Sequence, residues 1–350
     1  MNHLTDSVDI ELMHALQQKM EWELRYQRCA KEAFSSSSCP AIPNADPFLS
    51  LFLKTAWDFI TTEAGWICAT AKPILAYAGG IGAYGEQAAL HMLPHVHIVS
   101  APLFEDVFEG VSSGIYDYGI VPIENSTGGM IDTVTHLMWK HPFHIVGAVV
   151  LPVWHALLGI PGAREENIDH VLSHPQALRQ CRRFLQKKRC RLSPVSSTAT
   201  AARWVAKKKD PHTAAIGSKH AADVYGLSVL KEKITDRCGS NYTRFIVISK
   251  EKTHSFEKVF DNGRRMCSVA FMISDTPGSL YSVLKAAVAE NISFTRLDSV
   301  ELSPGKYFFM ADFPGEETSP SVERFLMWLK KNTSSYIYLG NYREILADIK

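Results

Sequence analysis

The sequence lacks the marks of several large protein classes. It has no excess of one charge: 37 Lys and Arg stand against 36 Asp and Glu, a net charge of +1. That balance removes the electrostatic case for nucleic acid as a partner. It has no Cys-x-x-Cys pair. The seven cysteines (Cys29, Cys39, Cys68, Cys181, Cys190, Cys238 and Cys267) are scattered, which argues against a structural zinc site and against a disulfide framework. Reduced thiols in a cytoplasmic protein are the expectation. It has no long apolar run. The most apolar stretch, 148–160 (AVVLPVWHALLGI), is too short for a bilayer and contains Pro152 and His155. The opening MNHLTDSVDIEL is acidic and does not read as a secretory signal. A soluble protein without a membrane partner is expected.

What is present is ample core material. Hydrophobic residues make up 46% and charged residues 21% of 350, enough for two or three domains. Residues 5–31 carry Val8, Leu12, Leu16, Met20 and Leu24 at helical spacing. The Ser/Pro tract 35–44 ends that helix, and a second helix is expected from Asp46 to about Thr70. From Pro73 short β-branched runs alternate with helical patterns up to Lys250. That texture predicts a parallel or mixed sheet with helices on its faces, in two lobes. Over 267–342 the runs read β-α-β-β-α-β, the ferredoxin-like order.

Four motifs stand at strand ends in the middle region. GGIGAYGEQAA (79–89) has the spacing of a dinucleotide loop at Gly80, Gly82 and Gly85, but no ribose-binding acid follows. A helix N-terminus that takes a carboxylate is equally consistent. VPIENSTGG (121–129) clusters Asn125, Ser126, Thr127 and Gly128 after a strand, either as an ordinary turn or as ligand donors. SHPQALRQC (173–181) offers Ser173 and Gln176 as a capping box, with Gln180 one turn on. In SNYTRF (240–245), alternation sends Tyr242 and Arg244 to one face and Thr243 and Phe245 to the other. Arg244 suits a carboxylate, or an ordinary ion pair. Together the motifs describe a neutral-to-cationic cleft for a small polyanion, with no metal cluster and no paired carboxylates.

The same motifs, in this order and spacing, together with AAIGS…YGL (214–227), resemble the prephenate dehydratase family over roughly 74–250. Residues 267–342 resemble the ACT regulatory domain often fused to it. VDIELMHALQQKMEWELR (8–25) resembles the first helix of the all-helical chorismate mutases. The resemblance implies an N-terminal mutase-like segment (1–72), a dehydratase domain (73–250) with the two-lobed α/β fold of type 2 periplasmic binding proteins, and an α+β ACT domain (265–345). It implies a lyase that takes prephenate to phenylpyruvate without cofactor or metal, in phenylalanine biosynthesis. Homodimers or homotetramers are expected, with L-phenylalanine as effector. The resemblance makes Thr243 the residue nearest the chemistry. It places Asn125, Ser126, Thr127, Gly128, Ser173, Gln180 and Arg244 around the substrate, and Pro277, Gly278, Leu280 and Asn291 around the effector. Competing readings are an arogenate dehydratase and a non-catalytic small-ligand sensor.

Some positions depart from the family pattern. Gly80, Ala83 and Gly85 stand where proline and two hydroxyl residues are usual, so a looser entrance loop is expected. Asp298, Ser299, Val300 and Glu301 replace the regulatory Glu-Ser-Arg-Pro, which predicts weak feedback. Arg296 is the nearest arginine that could substitute. In the first helix Lys19 and Ala30 stand where arginine and lysine are usual, which predicts a degenerate mutase.

Overall fold

The computed structural model describes residues 72–92, 96–141, 143–236, 241–252, 262–303 and 306–347. The mutase-like helices expected near the N-terminus lie outside the described residues. The first lobe runs β1 (Ile74–Ala78), α1 (Tyr84–Met92), β2 (His97–Ala101), α2 (Phe104–Ser113), β3 (Tyr118–Asn125), β4 (Gly129–Met130), α3 (Asp132–Lys140) and β5 (His144–Pro152). The second lobe runs β6 (Ala156–Gly159), β7 (His170–Ser173), α4 (Pro175–Gln180), α5 (Arg182–Lys188), β8 (Arg191–Pro194), α6 (Thr198–Lys208), β9 (Thr213–Gly217), α7 (Lys219–Tyr225) and β10 (Ser228–Lys231). The chain then returns to the first lobe as β11 (Tyr242–Ser249). The rest forms β12 (Arg264–Met272), α8 (Ser279–Ala289), β13 (Arg296–Ser303), β14 (Lys306–Pro314), α9 (Pro320–Asn332) and β15 (Ser335–Leu346).

Strands that are apolar on both faces are those buried on both faces. Every residue of β11 from Thr243 to Ser249 is buried. Its two faces feed different cores. Ile246 and Ile248 pack with Val121, Ile123 and Phe108, while Phe245 and Val247 pack with Tyr77, Ile120 and Val149. Fully burying one such side chain is worth about 1.5–3 kcal/mol, so β11 cannot slip by one residue without exchanging Arg244 for a hydrophobic partner.

The sheet order is β13-β14-β12-β15-β5-β11-β3-β1-β2, and the second lobe has its own sheet, β10-β6-β9-β7-β8. The C-terminal unit thus shows the β-α-β-β-α-β order expected from sequence. Its sheet does not stop at the unit's border, because the end of β15 pairs in parallel with β5 at Glu344–Ala148, Ile345–Val149 and Leu346–Val150. Close approach is possible because position 340 is glycine at φ 149°, where a Cβ would collide with the carbonyl oxygen of Ile145. One face of the C-terminal sheet carries α8 and α9 around Phe271, Phe313 and Phe325. The other face joins the first lobe's core through Phe308, stacked on Trp139 at 4.6 Å.

Three local readings need correction. The Gln- and Arg-rich stretch 176–188 reads as one helix, but the structure has two, broken at Cys181 (φ −109°, ψ 21°). Asp236 fills the break: its N–H donates to Gln180 O at 2.7 Å, and its carboxylate accepts from Arg183 N at 3.0 Å. Ser173 does not cap α4; His174 Nδ1 accepts from Gln176 N instead. β4, β6, β8, β10, α3 and α7 go beyond the elements read from the sequence.

Candidate active site

A cavity of about 220 Å3 opens at the C-terminal ends of β1 and β3, beside the start of β11. Ligands of open α/β sheets bind at such strand ends. Phe104, Ile120, Ile131 and Phe245 give it apolar walls, and Tyr84, Asn125, Gln176 and Thr243 give it polar groups. The alternation read from the sequence is realised, since Thr243 and Phe245 both face the cavity.

The polar groups form one connected chain. Asn125 Oδ1 accepts from the N–H of Thr127 (3.1 Å), the N–H of Gly128 (3.0 Å), Thr127 Oγ1 (2.7 Å) and Gln176 Nε2 (3.2 Å). Its Nδ2 donates to Thr243 Oγ1 at 2.9 Å. With Asn125 as its donor, Thr243 Oγ1 keeps its own proton to give. Gln180 Nε2 donates to Thr127 Oγ1 at 2.5 Å, and Gln180 Oε1 lies 2.8 Å from His155 Nε2. His155 Nδ1 lies 3.0 Å from the Tyr84 hydroxyl. Burial lowers the His155 pKa to about 4, so the ring is neutral at ordinary pH. Burial likewise raises the Tyr84 phenol far above its usual value.

The expected residues divide. Asn125, Thr127, Gln180 and Thr243 come together. Ser126 Oγ accepts from Tyr242 N at 3.0 Å and clamps β11 instead of facing a ligand. The N–H groups of Thr127 and Gly128, expected to be carboxylate donors, are turned onto Asn125 Oδ1. A Cβ at Gly128 would sit 2.8 Å from Gln176 Nε2, so a side chain there would displace the Gln176 amide from Asn125. Ser173 is wholly buried, and its hydroxyl donates to Ile216 O at 2.7 Å. The expectation that it holds substrate is therefore corrected.

Arg244 is the larger correction. It was expected at the substrate, with bracing of the Thr243 strand as the alternative; it is buried on the opposite face of β11, in the bracing position. Its Nη1 bonds Asp312 Oδ2, its Nε bonds Glu344 Oε1 at 2.5 Å, and its Nη2 donates to the Tyr342 hydroxyl at 2.7 Å. Asp312 also accepts from Ser268 Oγ at 2.5 Å and lies 2.8 Å from Arg296 Nε. Burial alone would raise the Asp312 carboxyl. The two guanidinium groups and the Ser268 bond outweigh it and hold the group at about 2. Arg296 is thus committed to Asp312, and its Nη1 meets Met130 Sδ at 2.9 Å. It faces the dehydratase side of the C-terminal sheet, while Leu297 faces α8 and α9.

The entrance loop is less loose than its glycines suggest. Glu86 Oε2 accepts from Gly82 N at 2.6 Å and from His220 Nε2 at 2.8 Å, and the Tyr225 hydroxyl donates to Ile81 O at 2.7 Å. The loop of one lobe is thereby tied to α7 of the other. Burial would raise the Glu86 carboxyl, but these bonds hold it below its usual range.

The residues that sequence reasoning missed are Tyr84 as a cavity wall, Gln176, and His155. The only signal for His155 was one polar side chain inside the apolar run 148–160.

Comparison with known proteins gives a family model, prephenate dehydratase, that matches residues 75–253. The chain belongs to the prephenate dehydratase family. The prephenate dehydratase of Methanocaldococcus jannaschii is 34% identical over 268 residues, covering 75% of this chain and 94% of that protein. Arogenate dehydratase 1 of Petunia hybrida is 35% identical over 287 residues, and the match covers 77% of this chain but 66% of that protein. Among solved structures, a prephenate dehydratase from Arthrobacter aurescens in complex with L-Phe has a TM-score of 0.69 at 26% identity, covering 77% of this chain and 89% of that one. The family match ends at residue 253, so it includes the whole cavity and excludes β12 to β15. Asp312, Tyr342 and Glu344, which hold Arg244 of the family's NYTRF motif, all lie beyond it.

Proposed function

We propose that the chain is a prephenate dehydratase, removing water and carbon dioxide from prephenate to leave phenylpyruvate. One observation carries the reading: the Thr243 hydroxyl, fixed by Asn125, faces a cavity with aromatic and aliphatic walls. In prephenate the bond from ring carbon to carboxylate breaks, its electron pair enters the ring, and the C4–O bond breaks at the far side. The C4 oxygen leaves as water after taking one proton, and aromatisation drives the step. Thr243 is a weak acid, so its part is to donate a hydrogen bond to the departing oxygen, strongest as charge develops there. Phe104, Ile131 and Phe245 match the flat ring that forms and keep water from the developing charge.

A second substrate is favoured by the petunia relative's name. Arogenate carries an amine where prephenate has a keto group, and the ring chemistry is the same. The deciding experiment offers both compounds to the purified chain and follows phenylpyruvate and phenylalanine. No turnover of either one removes the reading.

We read residues 265–345 as an ACT domain that takes L-phenylalanine at Pro277, Gly278, Leu280 and Asn291, and residues 1–72 as a degenerate mutase-like segment. Support for the first is the turn at Gly278 (φ 91°) ahead of α8 and the left-handed Asn291 (φ 55°) behind it. We further propose a cytoplasmic homodimer or homotetramer that needs neither cofactor nor metal.

A further inference from the structure

The hydrogen bonds that end on Thr243 all run one way, and they are held at both ends: at Asn125 by its own turn, and at Gln180 by residues outside the cavity. An N–H can only donate, so the two backbone N–H groups on Asn125 fix its Oδ1 toward residues 127–128 and its Nδ2 toward Thr243. Asn241 Nδ2 donates to Val153 O at 3.3 Å and therefore also donates to Gln180 Oε1, at 3.3 Å. That fixes Gln180 Nε2 toward Thr127 Oγ1, whose own proton must then go to Asn125 Oδ1. On the far side of Gln180, the His155 Nε2 facing its Oε1 must carry hydrogen. The neutral ring then leaves Nδ1 bare to accept from Tyr84, whose single hydroxyl proton lies nearer to it (3.0 Å) than to the other acceptor in reach, Trp154 O (3.3 Å).

We propose that His155, with Tyr84 behind it, is a positioning residue for the dehydration: its Nε2–H holds the Gln180 amide, which turns the Thr127 hydroxyl proton onto Asn125 Oδ1 and so braces the donor that the backbone N–H groups direct at Thr243. The inference rests on the dehydratase reading and deepens it. His155 does not line the cavity. It lies where the chain crosses between the lobes, with its N–H on Thr235 Oγ1 (3.2 Å) and its C=O accepting from Ile234 N (3.0 Å). Gln180 comes from the second lobe, and Asn125 and Thr243 from the first. The chain of bonds is complete only while the lobes hold their present closure. A histidine placed only to fill space would need neither the tautomer nor the Tyr84 hydroxyl. The Asn241 bond to Gln180 Oε1 is longer than that of His155, so His155 is the stronger of the two holds.

The test is a double-mutant cycle on the full chain, using whichever of prephenate or arogenate the wild type consumes. His155→Leu should lower kcat roughly tenfold, the scale of one directed hydrogen bond, with KM changed less than about twofold. His155→Gln, which keeps a donor toward Gln180, should recover most of that loss. In a Thr243→Ala background, His155→Leu should cost less than about twofold, because the group that the braced donor serves is gone. Equal losses in both backgrounds, or a loss confined to KM, would show a purely structural role and overturn the inference. Should His155→Leu fail to fold, 15N NMR of the wild type decides. The histidine signal absent from His155→Gln must show a protonated Nε2 and a bare Nδ1 between pH 6 and 8; the reverse tautomer overturns it. A wild type silent on both substrates defeats the activity itself, an outcome separate from an active enzyme indifferent to His155.

Discussion

Arg244 and Asp312 are 68 positions apart and share a buried ion pair, with the cavity-lining Thr243 immediately before Arg244 on the same strand. The pair fastens the C-terminal sheet to the strand that carries Thr243, on the face opposite the cavity.

Breaking the pair should therefore act on the fold before it acts on substrate binding. Removing one partner of a buried pair costs about 3–5 kcal/mol, because the other charge is left uncompensated. Asp312→Ala leaves Arg244 and Arg296 facing each other and should lower the chemical-denaturation midpoint sharply. Arg244→Lys should also destabilise, since an ammonium cannot reach Asp312, Glu344 and Tyr342 at once. If Arg244→Lys instead kept full stability and only raised KM, Arg244 would be a substrate ligand after all.

Thr243→Ala should reduce turnover about 100–1,000-fold, the usual effect of losing one transition-state donor. Thr243→Ser keeps the hydroxyl and the Asn125 bond and should retain most activity. Steady-state rates for the two variants separate the hydroxyl from the methyl. Near wild-type turnover in Thr243→Ala would remove it from the mechanism.

His155 should make stability fall in mild acid. Its pKa drops from the 6.5 of a free histidine to about 4 on folding, so between those values the unfolded chain binds more protons. Stability thus rises with pH through this window, by about 3 kcal/mol in all, and is lost as pH falls from 6.5 toward 4. Titrating unfolding free energy against pH for wild type and His155→Gln should show a flatter slope in the variant. Parallel curves would mean that the buried ring is not the source.

L-Phenylalanine should inhibit weakly. The arginine nearest the altered motif, Arg296, is spent on Asp312 and Met130 and sits on the face away from α8. Val300, on that same face, is packed in the core shared with the first lobe. A phenylalanine titration of dehydratase rate, run beside calorimetry, checks this. Strong inhibition with tight binding would show that the signal reaches the cavity by another route.

Most strands and most helices were legible because their apolar runs and periodicity are local properties; β6, β8 and β10, four residues each, are too short to show a period. The break at Cys181 was not, because Asp236 causes it from a distant segment. The final turns of β15, Arg343 to Leu346, were not, because they pair with β5 of the first lobe. At the site, motif order pointed to Thr243 and Asn125, and both line the cavity. The direction of Arg244 was legible, since strand alternation sets it opposite Thr243; its partners Asp312, Tyr342 and Glu344 were not, because they come from distant strands. His155 was hidden by its apolar neighbours, and only the orientation of Gln180 reveals its role.

The parallel pairing of β15 with β5 makes the C-terminal unit impossible to trim cleanly. Cutting the chain after Ser249 would leave β5, HIVGAVVLP, as a bare sheet margin with a row of unsatisfied backbone groups and almost no charge. Such a margin is a template for other chains. A shortened enzyme should therefore come out of cells as aggregate, and its inactivity would say nothing about regulation. Any shortened version of the chain has to keep this strand in place.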